Sequence, residues 1–204
     1  MTLILPSCYL APIPHYAAML QQGGARIEQY DNYVKQTFRN RCIITGPNGP
    51  QTLTIPVEKP STHKCLMRDL RISEHGNWRH LHWNALESSY GKSPFFEYYA
   101  DDLRPFYTER RYPFLCEFNL QLTHTLLQLL DIEAEIELTD HYMQADLQQW
   151  AEPSMLRELP YPTYYQVFAQ RNGFQSHLSI LDLLFNMGPE SVLVLMSNNY
   201  DCEA

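Results

Sequence analysis

The sequence predicts one domain of the α/β (or α+β) class, with a small mixed sheet, several helices and one central buried helix. Short β-rich runs alternate with longer helical patterns along the chain. Asn48-Gly49 separates two β-rich runs, which indicates a hairpin and therefore some antiparallel pairing. With 204 residues, of which 45% are hydrophobic and 19% charged, the chain suits one globular domain over residues 1–204.

The predicted strands fall mainly in the first third of the chain. The apolar run at residues 3–5 predicts a strand, and Pro14 begins a helix that Gly23-Gly24 ends. Further strands are predicted at 26–29, 41–45 and 51–57, and the last two form the hairpin. Residues 58–69 are polar and predict a surface loop, with another short strand at 69–73.

The rest of the chain has mostly helical periodicity. The pattern predicts helices over 76–89, 94–108, 113–130, 178–187 and 189–196, with one strand at 134–138. Apolar residues surround most of the 113–130 helix, which indicates the central buried helix. Residues 140–175 are aromatic and Pro-rich and predict irregular structure.

Composition and charge exclude several classes of function. A formal net charge of −8 argues against non-specific nucleic-acid binding, which needs a basic face. No apolar run has the length of a membrane span, so we expect no membrane insertion. The five cysteines lack a C-x-x-C pair, and Pro6 interrupts the apolar start of the chain. These features favour free thiols in a reducing, cytoplasmic environment without a signal peptide.

The most informative segment is residues 31–42, which holds three of the fifteen Lys and Arg residues of this acidic chain. If residues 37–45 form a strand, Arg39 and Arg41 point to the same face. Two guanidinium groups side by side suit a carboxylate or phosphate group. The alternative is structural ion pairing, with Glu28 or Asp31 as partner. The candidate ligand-binding residues of this segment are Asn32, Lys35, Gln36, Arg39, Asn40 and Arg41.

Two residues are candidates for proton transfer. His82 lies on an apolar helical stripe, where it is either a satisfied core residue or a general acid/base. Glu97 lies among four aromatic residues that could raise its pKa, although a carboxylate near a helix start is also favoured by the helix dipole. His75, His80 and His82 cluster in sequence, but ligands two residues apart on a helix diverge, so we expect no metal site.

Asp182 lies within a strongly apolar helical run. A carboxylate in such a place needs a partner, and we expect Arg39 or Arg41 to provide it. The sequence contains no glycine-rich phosphate loop and no nucleophile motif, so it indicates no particular cofactor.

A set of ordered motifs along nearly the whole chain resembles the WbqC-like family. These motifs are Asn32-Tyr33, residues 35–42, residues 53–57, Trp78, residues 82–85, Tyr90, residues 93–99 and residues 178–186. The resemblance implies a link to O-antigen and related surface polysaccharides, for which a role in transferring glycine to an amino sugar has been suggested for some members. The N-terminal strand, Pro-rich loop and helix also resemble nucleotidylyltransferase-like folds, with His15 near the helix start.

Two hypotheses follow from the residues and the resemblance together. In the first, the protein is an acyl or aminoacyl transferase. The arginines hold an anionic or nucleotide-sugar ligand, Lys35, Gln36 and Asn40 orient it, and His82 or Glu97 accepts a proton. An aromatic wall would face the sugar, made of Trp83, Tyr90, Phe95 and Tyr98. In the second, the same arginines serve a non-catalytic binding module.

Overall fold

The computed structural model describes residues 2–59, 64–156 and 161–197 and confirms a mixed α/β fold. The strands are β1 (Ile4–Pro6), β2 (Gly24–Glu28), β3 (Arg41–Gly46), β4 (Gly49–Thr54) and β5 (Glu135–Leu138). The helices are α1 (Ile13–Gln22), α2 (Trp78–Tyr90), α3 (Phe96–Leu103), α4 (Pro105–Thr108), α5 (Leu115–Leu129), α6 (Leu147–Ala151), α7 (Pro153–Leu156), α8 (Ala169–Asn172), α9 (Ile180–Met187) and α10 (Ser191–Met196). No helix of the described residues is long and apolar enough to cross a membrane.

The parallel and antiparallel strand pairs lie in two separate sheets. β1, β2 and β5 form a parallel sheet in the order β1-β2-β5, with Ile4 opposite Arg26 and Gly24 opposite Glu135. β3 and β4 form the predicted hairpin, closed between Gly46 and Gly49. The hairpin packs against α2 and α9 instead of joining the parallel sheet.

Two adjacent glycines bring β2 into place. Gly23 ends α1 in the left-handed conformation, with φ at 68°, and its N–H donates to the carbonyl of Leu20. At Gly24, a Cβ would lie 2.2 Å from the carbonyl oxygen of Glu135 on the neighbouring strand. Only glycine therefore allows β2 and β5 to approach this closely.

The core is built around α5 and α9. In α5, Phe118 and Leu122 are buried, whereas Glu117 and Gln128 face solvent, so its apolar surface does not encircle it completely. In α9, seven of the eight residues are buried, including Asp182. Both helices lie inside the fold, and α9 is the more completely enclosed.

Several predicted boundaries are wrong in detail. The strand predicted at 41–45 is confirmed as β3, but the longer strand considered from residue 37 is not, because residues 37–40 form turns. The strand predicted at 69–73 is replaced by isolated bridges at Arg71 and Ile72. Pro105 divides the helix predicted at 94–108 into α3 and α4, since proline has no N–H with which to continue the first helix. The segment at 140–175 contains the short helices α6 and α8, and α7 among its described residues.

Candidate functional site

The carboxyl ends of β1, β2 and β5 meet at one edge of the parallel sheet, which we call the carboxyl edge. The chain leaves this edge through three connections, at residues 7–12, 29–40 and 139–146. In open α/β sheets, ligands bind in the crevice outside the carboxyl ends of the strands. The basic segment singled out in the sequence is the second of these connections.

A buried carboxylate fixes two of the three connections to each other. Glu28, the last residue of β2, is fully buried. Its side chain accepts hydrogen bonds from the Tyr30 N–H at 2.6 Å, the Thr139 hydroxyl at 3.1 Å and the Met143 N–H at 2.7 Å. Hydrogen bonds to a carboxylate are among the strong ones, so the loops after β2 and β5 are held as one unit.

The 29–40 connection is also held by its own backbone. The Tyr33 N–H donates to the Cys65 carbonyl, and the Phe38 N–H donates to the Ala151 carbonyl, both at 2.8 Å. The Phe38 carbonyl in turn accepts from the Tyr9 N–H at 2.8 Å. These contacts position the arginines without requiring a regular strand.

Within the described part of the chain, the guanidinium of Arg39 has hydrogen-bond partners for its terminal nitrogens but not for its Nε. Its guanidinium is fully buried and donates to the Asp31 carboxylate and, at 3.4 Å, to the Thr37 hydroxyl. The ion pair with Asp31, one of the two partners considered from sequence, is therefore the observed arrangement. The Nε of Arg39 has no hydrogen-bond partner among the described residues.

Arg41 differs from Arg39 because none of the ion pairs among the described residues includes it. Its side chain is half-buried, and its buried Nε also lacks a hydrogen-bond partner there. Tyr33 lies within the electrostatic influence of both arginines: burial raises the pKa of its phenol, and Arg41 and then Arg39 oppose that effect. Arg41 is thus a cation whose hydrogen-bonding capacity is incompletely used.

The remaining polar residues of the segment divide into two groups. Asn32, Lys35 and Gln36 are exposed, and Gln36 has a φ of 66° within the turn at 35–36. Asn40 is buried, and its amide donates to the Ile55 carbonyl at 2.9 Å. Asn40 therefore links the segment to the chain that follows β4, while the other three face solvent.

The structure places His82 in a buried aromatic cluster. Its Nδ1 lies 2.9 Å from the Tyr9 hydroxyl, which is also 2.9 Å from the Tyr107 hydroxyl, and its ring contacts Trp78 edge-on. Burial, chiefly, lowers the pKa of His82 to about 4, and a hydrogen bond from the ring to the Thr54 backbone carbonyl opposes this effect. His82 is neutral near pH 7 and is tied into the core.

Glu97 and the predicted aromatic residues do not share one surface. Glu97 and Tyr98 are exposed on α3, and Tyr98 has 76% of its surface accessible. Trp83 and Tyr90 are buried. Phe95 is half-buried, and its ring lies so close to Gly188 that a Cβ there would approach it to 2.5 Å.

Asp182 is buried as predicted, but the prediction of an arginine partner is wrong. It accepts hydrogen bonds from the Tyr90 hydroxyl at 3.0 Å, the Tyr164 hydroxyl at 2.7 Å and the Gln166 amide at 2.8 Å. Burial raises the pKa of Asp182 to about 6, although these three donors lower it. Three neutral hydrogen-bond donors thus surround Asp182 where an arginine was expected.

The structure therefore groups the predicted ligand residues of the 29–40 connection and its junction with β3 at the carboxyl edge. The hydrogen bonds and ring contacts of His82 and Asp182 belong to two other clusters, and Glu97 lies on the surface. The sequence analysis did not single out Ser7 and Asn119, which line a small cavity near the same edge. The available signal was an asparagine among the apolar residues of α5.

The fold defines an α/β protein with a short parallel sheet and two arginines at the end of the connection that follows β2. The chain belongs to the WbqC-like protein family, whose match covers residues 8–158 and so includes the carboxyl-edge connections. It is also similar to the uncharacterized protein Rv1507c of Mycobacterium tuberculosis, with 27% identity over 197 residues, covering 79% of this chain and 84% of that protein. No solved structure matches it.

Proposed function

We propose that the protein binds a small anionic ligand at the carboxyl edge, by a carboxylate or phosphate group of the kind that nucleotide-linked sugars carry. The observation that carries this proposal is Arg41, a half-buried cation with no ion-pair partner and an unused Nε donor among the described residues. A guanidinium in this state gains from a planar anion that accepts two hydrogen bonds. Lys35 and Gln36 lie exposed on the same connection, which supports a role for them in extending the contact.

A second candidate, acyl or aminoacyl transfer, comes from the family resemblance and would use this anion site for its donor. Glycine transfer to an amino sugar in surface polysaccharide synthesis is the form that the resemblance suggests. His82 and Glu97 give little support to the transferase candidate, because His82 is hydrogen-bonded to Tyr9 in the core and Glu97 is on the exposed side of α3. The transferase proposal therefore depends on another proton acceptor near the carboxyl edge.

The test is to measure binding of pyrophosphate and of UDP-N-acetylglucosamine by calorimetry and thermal shift, for the natural chain and for Arg41→Lys. Lysine keeps the charge but loses the planar fork, so we expect Arg41→Lys to weaken binding about tenfold or more while changing stability little. The matched control is Arg26→Lys, at a surface arginine on β2 that faces Glu137. Unchanged affinity in Arg41→Lys, or binding of neither probe by the natural chain, would contradict the anion site.

A further inference from the structure

A small polar cavity lies where β1 leads into α1, next to the carboxyl edge. It has a volume of about 10 Å³, the space of about one water-sized group. Its polar lining comes from Ser7, Cys8, His15, Asn119 and Thr123. Asn119 also donates to the backbone carbonyl of Arg39 at 2.9 Å, so the cavity contacts the 29–40 connection two residues before Arg41.

His15 has both ring nitrogens buried without a hydrogen-bond partner among the described residues, although only 1% of its surface is exposed. Its ring contacts Trp150 edge-on, at 5.3 Å between centroids. The Pro12 backbone influences the ring but lies outside hydrogen-bond geometry. Buried polar groups normally have partners, so an imidazole in this state indicates a guest that completes its hydrogen bonds. His82, by contrast, already has Tyr9 as a partner.

Asn119 presents a second unused group to the same cavity. Its amide nitrogen donates to the Ser7 hydroxyl at 3.1 Å and to the Arg39 carbonyl at 2.9 Å. A carbonyl oxygen can only accept, so these contacts fix the orientation of the amide. The Oδ1 of Asn119 is consequently a buried acceptor with no partner among the described residues.

The cavity lining carries no charge at neutral pH. Burial lowers the pKa of His15 to about 3 and, with a smaller opposing effect of Arg39, raises the pKa of the Cys8 thiol to about 12. The other polar groups of the lining are the hydroxyls of Ser7 and Thr123 and the amide of Asn119. Such a cavity disfavours a charged guest and favours a neutral one that can donate hydrogen bonds to Asn119 and to one imidazole nitrogen.

We propose that this cavity receives the neutral amino or hydroxyl head of an acceptor substrate, and that His15 and Asn119 hold it by hydrogen bonds during group transfer. The inference rests on the proposed anion site, where Arg41 holds the phosphate of an acyl phosphate or acyl adenylate donor. The head-group nitrogen or oxygen forms a bond to the acyl carbon, and the bond from that carbon to the phosphate oxygen breaks. The phosphate leaves with the electron pair and takes up the proton that the head group releases. A neutral head group is the form that can act as a nucleophile.

Hydroxylamine is a suitable probe, because it is small, mostly uncharged near neutral pH and carries both an amino and a hydroxyl group. The ring ¹⁵N resonances of histidine-labelled protein are followed during titration with hydroxylamine, with His15 assigned by loss of its signals in His15→Gln. If His15→Gln does not fold, through-bond correlation to the backbone gives the same assignment. We expect a saturable shift at His15 and none at His80, an exposed histidine whose Nε2 lies 3.0 Å from the Asn84 amide.

The matched variant is Asn119→Leu, which removes the second acceptor and should abolish the saturable shift. An absent or linear, non-saturating response at His15 in the natural chain would show that the cavity holds only water and would overturn the inference. Both titrations on the natural chain separate the two proposals. A saturable hydroxylamine shift without pyrophosphate binding refutes the anion site alone, whereas pyrophosphate binding without the shift refutes the His15 site alone.

Discussion

The most quantitative prediction concerns the pH dependence of stability contributed by Asp182. This carboxyl group is fully buried among Tyr90, Tyr164 and Gln166, and burial raises its pKa from 3.8 to about 6. The perturbation is Asp182→Asn, which keeps the shape of the side chain and removes its titration. The two chains then share all other titrating groups, so their difference isolates this carboxyl.

The sign follows from proton binding. Between about pH 4 and about pH 6, the unfolded chain has released the proton of Asp182 while the folded protein retains it. The folded state therefore binds more protons, and its stability falls as the pH rises through this window. The interval from 3.8 to about 6 corresponds to about 3 kcal/mol, at about 1.4 kcal/mol for each pH unit.

The assay is urea denaturation of both chains at intervals from about pH 4 to about pH 7. We expect the free energy of unfolding of the natural chain, measured relative to Asp182→Asn, to fall by about 3 kcal/mol and then become constant above about pH 6. Asp101→Asn, at an exposed position of α3, is the matched control for the change from carboxyl to amide.

A difference between the natural chain and Asp182→Asn that does not vary with pH would refute the reasoning. It would mean that the three donors stabilise the carboxylate enough to offset its burial. A difference that rises with pH would go further and place the pKa of Asp182 below its value in the unfolded chain.

Three further predictions concern other parts of the fold. Asp31→Asn should destabilise the protein by about 3–5 kcal/mol in urea denaturation, because it leaves the fully buried Arg39 without its carboxylate; little change would show that Arg39 finds another partner. Gly24→Ala should lower the free energy of unfolding by about 1–3 kcal/mol, because its Cβ meets the backbone of Glu135. Gly23→Asn should lower it less, because that position faces open space and has a φ of 68° that asparagine tolerates. Equal losses in urea denaturation would contradict the close approach of β2 and β5. For His82, whose pKa is lowered from 6.5 to about 4, stability relative to His82→Gln should fall as the pH drops from about 6.5 to about 4, because only the unfolded chain gains the proton in that window; a flat difference would show that His82 titrates normally.

The sequence predicted those elements whose signals are local. The hairpin follows from the turn at 46–50, and the end of α1 follows from Gly23, because turn and cap chemistry reside in a few adjacent residues. The extension of the β3 strand back to residue 37, which the arginine argument considered, failed for the opposite reason. The backbone of Phe38 bonds to Tyr9 and Ala151, and nothing near residue 38 indicates that such distant partners will compete with a strand ladder.

The sequence predicted only part of the candidate site, because the other contacts join residues that are distant in sequence. The composition of residues 31–42 identified the basic connection. It did not show that Asp31 pairs with Arg39, or that Arg41 has no ion pair among the described residues. The donors to Asp182 include Tyr164 and Gln166, which lie in a segment with no periodicity. Their placement depends on tertiary packing, which overrides local pattern.

The carboxylate of Glu28 has a consequence for the order in which the molecule assembles. Its donors Thr139 and Met143 lie more than a hundred residues further along the chain, whereas the hairpin pairs residues that are close in sequence. Pairing across a long loop carries a larger entropic cost, so β3 and β4 are expected to associate before β2 finds β5. During synthesis, the carboxyl edge then stays incomplete until the chain past Met143 has emerged, and Glu28 remains hydrated until that point. A nascent chain halted before residue 139 should show the hairpin but not the anion site.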